Sequence, residues 1–138
     1  MKPRGIALII CVQATWDDSA GDAASLGLSR PRNLMGTLDT WTVDQFPGTL
    51  GPVAAYVVVS GAGKVSLSLM LEAPNGEIVV AYHYVADSWG ALGFLEWVLH
   101  VDVCQLQYPG IYHWRLWHED EVLLERPMLA KCREITTD

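Results

Sequence analysis

The side chains in this chain that could do chemistry are four histidines, three cysteines and a few grouped acids, and their spacing decides which could act together. The best metal set is His100, Asp102 and His113. If Leu95, Trp97, Leu99 and Val101 face inward on a strand over residues 94–103, His100 and Asp102 face outward. His113 falls opposite Tyr112 and Trp114, so it faces outward as well. Were these two strands paired in register, two imidazoles and a carboxylate would meet, as a zinc site requires. The plainer reading is ordinary surface polarity, because nothing in the sequence sets that register.

The other reactive residues point to less. His83 and His118 fall near strand ends and read as solvated or hydrogen-bonded histidines. No G-x-S-x-G elbow is present, and no cysteine has a recognisable catalytic partner pattern. Gly61-Ala62-Gly63-Lys64 lacks the full phosphate-loop spacing and a following helix, so a turn is the better reading. The acids Glu119, Asp120 and Glu121 suit a solvated hairpin tip. Asp17, Asp18 and Asp22 near Trp16 could contribute to a calcium or sugar site, but their spacing misses the EF-hand loop. No cofactor is expected.

Tryptophan is the remaining chemical resource, with six in the chain. Parity assigns Trp97 and Trp114 to the core. Trp41, Trp89 and Trp117 are expected on loops or an outer face, and Arg115 lies in the same outward row as Trp117. Exposed aromatics of this kind mark an association surface or a planar ligand platform.

The elements that must position these residues are strands. The 138 residues fit one domain spanning 1–138, with enough apolar content to bury a core without metal or disulfides. The formal charge of −7 argues against a nucleic-acid backbone or an anionic membrane as partner. Cys11, Cys104 and Cys132 show no C-x-x-C spacing. Reduced thiols in a cytoplasmic protein are the default, with a Cys11–Cys104 or Cys104–Cys132 bridge left open. Residues 1–14 also imitate an export signal, which leaves secretion as the alternative. Residues 5–13 fit a buried first strand equally well.

In order, the pattern predicts strands over 5–13, 33–43, 53–60, 64–72, 77–85, 94–103, then a hairpin from Tyr108 whose second arm covers 122–130. Residues 16–32 are expected to be a long loop and 133–138 a polar tail. Residues 53–60 read as buried on both sides. Two prolines in 46–52 argue against ladder pairing there. Gly61-Ala62-Gly63 is expected to close one hairpin and Pro74-Asn75-Gly76 another. Together these make an all-β, two-sheet antiparallel sandwich of about eight strands, immunoglobulin-like or jelly-roll-like.

Three local patterns also resemble a known family. They are the strand Ala7-Leu8-Ile9-Ile10-Cys11, the segment 33–39 leading to Phe46-Pro47, and Pro109-Gly110-Ile111-Tyr112 followed by Leu124-Glu125-Arg126-Pro127. Their order is similar to that of small bacterial β-sandwich proteins classed only as a domain of unknown function. That resemblance implies two antiparallel sheets and transfers no catalytic residue. By analogy with immunoglobulin-like corners, Tyr112 is a candidate to hydrogen-bond back to loop backbone.

The leading functional expectation is a non-enzymatic protein acting by association, as a homo-oligomer or a subunit of a larger bacterial or phage assembly. Trp41, Trp89, Trp117 and Arg115 would form the contact. The second is a carbohydrate or small-molecule binding module using Trp16 or Trp89, and the third a metal-dependent enzyme.

Overall fold

In a computed structural model, which describes residues 3–16 and 31–133, the chain is built from strands. They run β1 (Arg4–Trp16), β2 (Pro31–Thr37), β3 (Thr40–Val43), β4 (Gly48–Leu50), β5 (Val53–Ser60) and β6 (Val65–Glu72). The second half holds β7 (Ile78–Ala86), β8 (Phe94–Val101), β9 (Cys104–Leu106), β10 (Gly110–His118) and β11 (Glu121–Cys132). A four-stranded sheet has the order β2-β1-β5-β8, and a five-stranded sheet the order β3-β11-β10-β6-β7. A third, two-stranded ribbon joins β4 to β9. The expected all-β class stands, but with eleven described strands in three sheets rather than about eight in two.

The core lies between the two large sheets and follows from period-2 alternation. Leu8 and Ile10 on β1 and Val53, Ala55, Val57 and Val59 on β5 supply one wall. Val65, Leu67, Leu69 and Leu71 on β6, Tyr112, Trp114 and Leu116 on β10, and Met128 and Ala130 on β11 supply the other. Residues 5–13, which also fitted an export signal, lie within β1, a strand paired on both sides with β2 and β5.

Several expectations need correcting, each for a physical reason. Residues 33–43 are two strands, not one, because the chain changes sheets at Leu38-Asp39. The Leu38 N–H donates to Ile10 O in the four-stranded sheet (2.7 Å), while Asp39 O accepts from Leu129 N in the five-stranded one (2.9 Å). β3 then runs parallel to β11, so the sheets are not wholly antiparallel. Residues 46–52 do pair: Pro47 and Pro52 bracket β4 without entering it, leaving Gly48–Leu50 free to join β9. Residues 94–103 end as β8 at Val101, and the segment after the exposed Asp102 and Val103 becomes β9.

Gly61-Ala62-Gly63 does not close a hairpin. β5 and β6 belong to different sheets and face each other across the core, so this segment is a crossover. It is pinned by Gly61 N donating to Gly93 O (3.0 Å) and by the Trp89 indole N–H donating to Gly63 O (2.7 Å). A Cβ on Gly61 would stand 2.8 Å from the Trp89 ring, so only glycine fits beneath it. β5 is buried throughout on its core face but only in part on the other. Its other side carries a small satellite of Cys11 and Ala54 with Val98 packed on it, while Tyr56 and Val58 stay partly exposed.

Pro74-Asn75-Gly76 does close a hairpin, between β6 and β7. Gly76 N donates to Ala73 O (2.9 Å), with Pro74 and Asn75 as the central residues. Gly76 alone takes the left-handed conformation (φ 89°), and Asn75 Oδ1 accepts from Glu77 N (3.1 Å). Of the expected loop 16–32, Trp16, Pro31 and Arg32 belong to strands and residues 17–30 lie outside those described, as do 134–138 of the tail.

Candidate interaction surface

β10 and β11 form a hairpin over the two-residue turn Glu119-Asp120, with His118 opposite Glu121. A bulge after Leu116 shifts the register by one, so that Leu116 opposes Leu124 and Arg115 opposes Glu125. On the inner face Tyr112, Trp114 and Leu116 are fully buried. The Tyr112 hydroxyl donates to Tyr108 O (2.7 Å) and accepts from Tyr108 N (3.3 Å), the corner expected from the Pro-Gly-x-Tyr pattern. Burial raises the Tyr112 phenol above its ordinary value of 10.0, the hydrogen bond to Tyr108 opposing this in part.

The outer face of the same hairpin is a stripe of paired residues. From one end it runs Ile111 with Leu129, His113 with Pro127, Arg115 with Glu125, and Trp117 with Val122. Ile111 and Leu129 are 52% and 40% exposed, which leaves an apolar pair in water at one end. In the middle, Arg115 bonds to Glu72 on β6 and through Nε to Glu125 Oε2 (3.1 Å). Those bonds, from Glu125 first and Glu72 second, raise the guanidinium above its ordinary value, so it stays charged and doubly paired. His113 Nε2 lies 3.6 Å from the other oxygen of Glu125. Alongside, on β6 and β7, Ser68 Oγ and His83 Nδ1 are hydrogen-bonded at 2.7 Å. Just before the turn His118 Nδ1 meets Ser66 O at 3.1 Å.

The candidate metal set does not assemble. β8, carrying His100, pairs with β5 in the four-stranded sheet, whereas β10, carrying His113, pairs with β11 and β6 in the other. Both histidines point away from the core, and therefore to opposite sides of the molecule. Among the described residues no three His, Cys, Asp or Glu side chains are grouped to hold a metal. No disulfide joins the cysteines: Cys11 is buried on β1, Cys104 half-buried at the start of β9 and Cys132 exposed at the end of β11. Burial raises the Cys104 thiol above its ordinary value of 9.0.

Nor do the tryptophans share one patch. Trp41 stands beside Ala130 and Trp117 beside Val122, at opposite ends of β11. Trp41 and Trp89 pack against the core and donate their indole N–H groups to Thr49 O (2.9 Å) and Gly63 O (2.7 Å). Of the four expected contact residues, only Trp117 and Arg115 share the outer row. Trp16 ends β1, and Asp17, Asp18 and Asp22 lie outside the described residues.

The residues missed by sequence reasoning are the partners: Glu72, Glu125, and the Ser68–His83 pair. Counting back from the hairpin tip would have placed Arg115 opposite Leu124. Opposite charges one position apart were the available sign of a bulge.

No helix among the described residues is long and apolar enough to cross a membrane. No family model matches the chain, so the family resemblance drawn from its strand and turn motifs has no match behind it. No curated protein matches either. Among solved structures, the chain is similar to an immunoglobulin-like protein of Pseudomonas aeruginosa, at 12% identity over 94% of this chain and 97% of that one, with a TM-score of 0.44.

Proposed function

We propose that this chain is a non-enzymatic β-sandwich protein that acts by protein association, with the outer stripe of the β10–β11 hairpin as its contact. The observation that carries this reading is the make-up of the stripe. An exposed apolar pair, Ile111 and Leu129, flanks an arginine paired with two carboxylates, and a tryptophan closes the row. Interface centres are enriched in aromatic residues and arginine, and a few such residues carry most of the binding energy.

The partner is a second copy or another subunit of an assembly. Size-exclusion chromatography with light scattering tests the first form. The wild type is expected to exceed the monomer mass at high micromolar concentration, and Trp117→Ala combined with Ile111→Glu to reduce that mass. A wild type that stays monomeric throughout counts against self-association and leaves only a foreign partner.

The sugar-platform reading has less support, because Trp41 and Trp89 use their indole N–H groups on backbone and their rings on the core. An enzyme reading has one nucleophile–base contact, Ser68 with His83, and that contact lies on an exposed sheet face.

A further inference from the structure

Asn75 stands directly before Gly76, at the exposed tip of the β6–β7 hairpin. Asparagine is a thermolabile residue, because its carboxamide carbon can be attacked by the amide nitrogen of the next residue. Glycine, with no side chain, presents the least obstructed nitrogen for that attack. A Cβ built on Gly76 would meet nothing within 4 Å, so solvent reaches the glycine from that side. The chain's other asparagine, Asn33, precedes the bulky Leu34.

Two hydrogen bonds oppose the reaction in the folded turn. Gly76 N–H donates to Ala73 O (2.9 Å), and Asn75 Oδ1 accepts from Glu77 N (3.1 Å). Nucleophile and electrophile are thus each tied to another residue of the same turn. Ala73 N, donating to Glu77 O (2.8 Å), closes the loop beneath them. The tip also rests on the start of β10. A Cβ on Gly110 would stand 2.8 Å from Pro74 Cγ, so the proline ring lies against that glycine.

We infer that Asn75 is a site of spontaneous deamidation, gated by opening of the turn from Ala73 to Glu77. Once the turn opens, base removes the Gly76 N–H proton and the nitrogen bonds to Asn75 Cγ. The Cγ–Nδ2 bond breaks, ammonia leaves and a cyclic succinimide remains. Water then opens either C–N bond of the ring, and the nitrogen regains a proton. Opening at Cγ gives aspartate. Opening at the main-chain carbonyl gives isoaspartate, whose backbone runs through the side chain. Either product adds a carboxylate between Glu72 and Glu77. Isoaspartate also lengthens the main chain by one carbon, so the bonds that close this turn no longer match its span. The turn follows directly on Glu72, the partner of Arg115, and that product would loosen the strand end that presents it.

The test is peptide mass spectrometry on the full chain, incubated in mildly alkaline buffer with and without enough urea to unfold it. Chromatography separates the aspartate from the isoaspartate product. Conversion at Asn75 is expected to run roughly tenfold or more slower in the native chain than in urea, the ratio being set by local opening. Pro74→Ala removes the ring seated on Gly110 and should bring the native rate towards the urea rate. Asn75→Gln should abolish conversion, since its ring would need a further carbon. In each chain the native rate should follow hydrogen exchange at the Gly76 amide. Equal rates with and without urea, or a native rate that does not follow that exchange, overturn the gating. No conversion at Asn75 in urea overturns the site itself.

Discussion

The two faces of β10 differ by one residue in phase and by everything in environment. On the inner face Tyr112, Trp114 and Leu116 have no exposed surface and belong to the core that both large sheets supply. On the outer face Ile111, His113, Arg115 and Trp117 stand in or near water, joined sideways by charge and hydrogen bonds. The inner row is a stability device, in which volume and hydrogen-bond completion set the energy. The outer row contributes little to folding, which leaves it free to recognise something else. Substitutions along one strand should therefore separate the two roles.

The largest effect is expected at Trp114. Trp114→Ala should destabilise the fold by about 3–5 kcal/mol, read from urea denaturation, because the cavity opens at the centre of the sandwich. Trp114→Phe should cost less than its lost volume suggests, since the Trp114 indole N–H is buried with no hydrogen-bond partner among the described residues. Equal losses for the two variants would show that the site collapses around either side chain.

Next comes Tyr112→Phe, which removes the hydroxyl bonded to Tyr108 and should cost about 1–2 kcal/mol. The same residue gives a pH signature. Burial raises its folded-state pKa above 10.0, so the folded chain holds the proton longer than the unfolded one. Its contribution is complete below pH 10.0 and is lost as pH rises through the folded value. Denaturation midpoints against pH should show that alkaline fall in the wild type and a shallower one in Tyr112→Phe. Cys104, whose thiol is raised from 9.0, adds a loss of the same sign in both.

On the outer row the effects on folding shrink. Arg115→Ala breaks two partly exposed ion pairs and should cost under about 1 kcal/mol, with less lost at high salt. Trp117→Ala should fall within about 0.5 kcal/mol of wild type in thermal unfolding. A loss at Trp117 as large as that at Trp114 would erase the distinction between the faces.

Much of this was legible in the residues. The inward set Tyr112, Trp114 and Leu116, the alternation of β6 and the Pro74-Asn75-Gly76 hairpin are local patterns, and the structure repeats them. The Tyr112 corner was legible because a tyrosine directly after Pro-Gly-x lies near the start of a strand, within reach of the preceding loop. The candidate site was half legible. Parity placed His113, Arg115 and Trp117 outside but could not supply Glu72, four strands earlier in sequence order, or the bulge that brings Glu125 opposite Arg115.

What the sequence by itself determined is which residues form strands and which side of each strand is apolar, because a period of two is written into neighbouring residues. What only the tertiary structure decided is which sheet each strand joins. β5 and β6 have the same inward pattern whether they lie side by side or face each other across the core, so Gly61-Ala62-Gly63 reads as a hairpin until Trp89 and Gly93 are seen to hold it as a crossover. The same ambiguity made His100 and His113 look like neighbours, when the core lies between them. Sheet membership rests on contacts between residues distant in the chain, and so it also decided that β7 would be left at an edge.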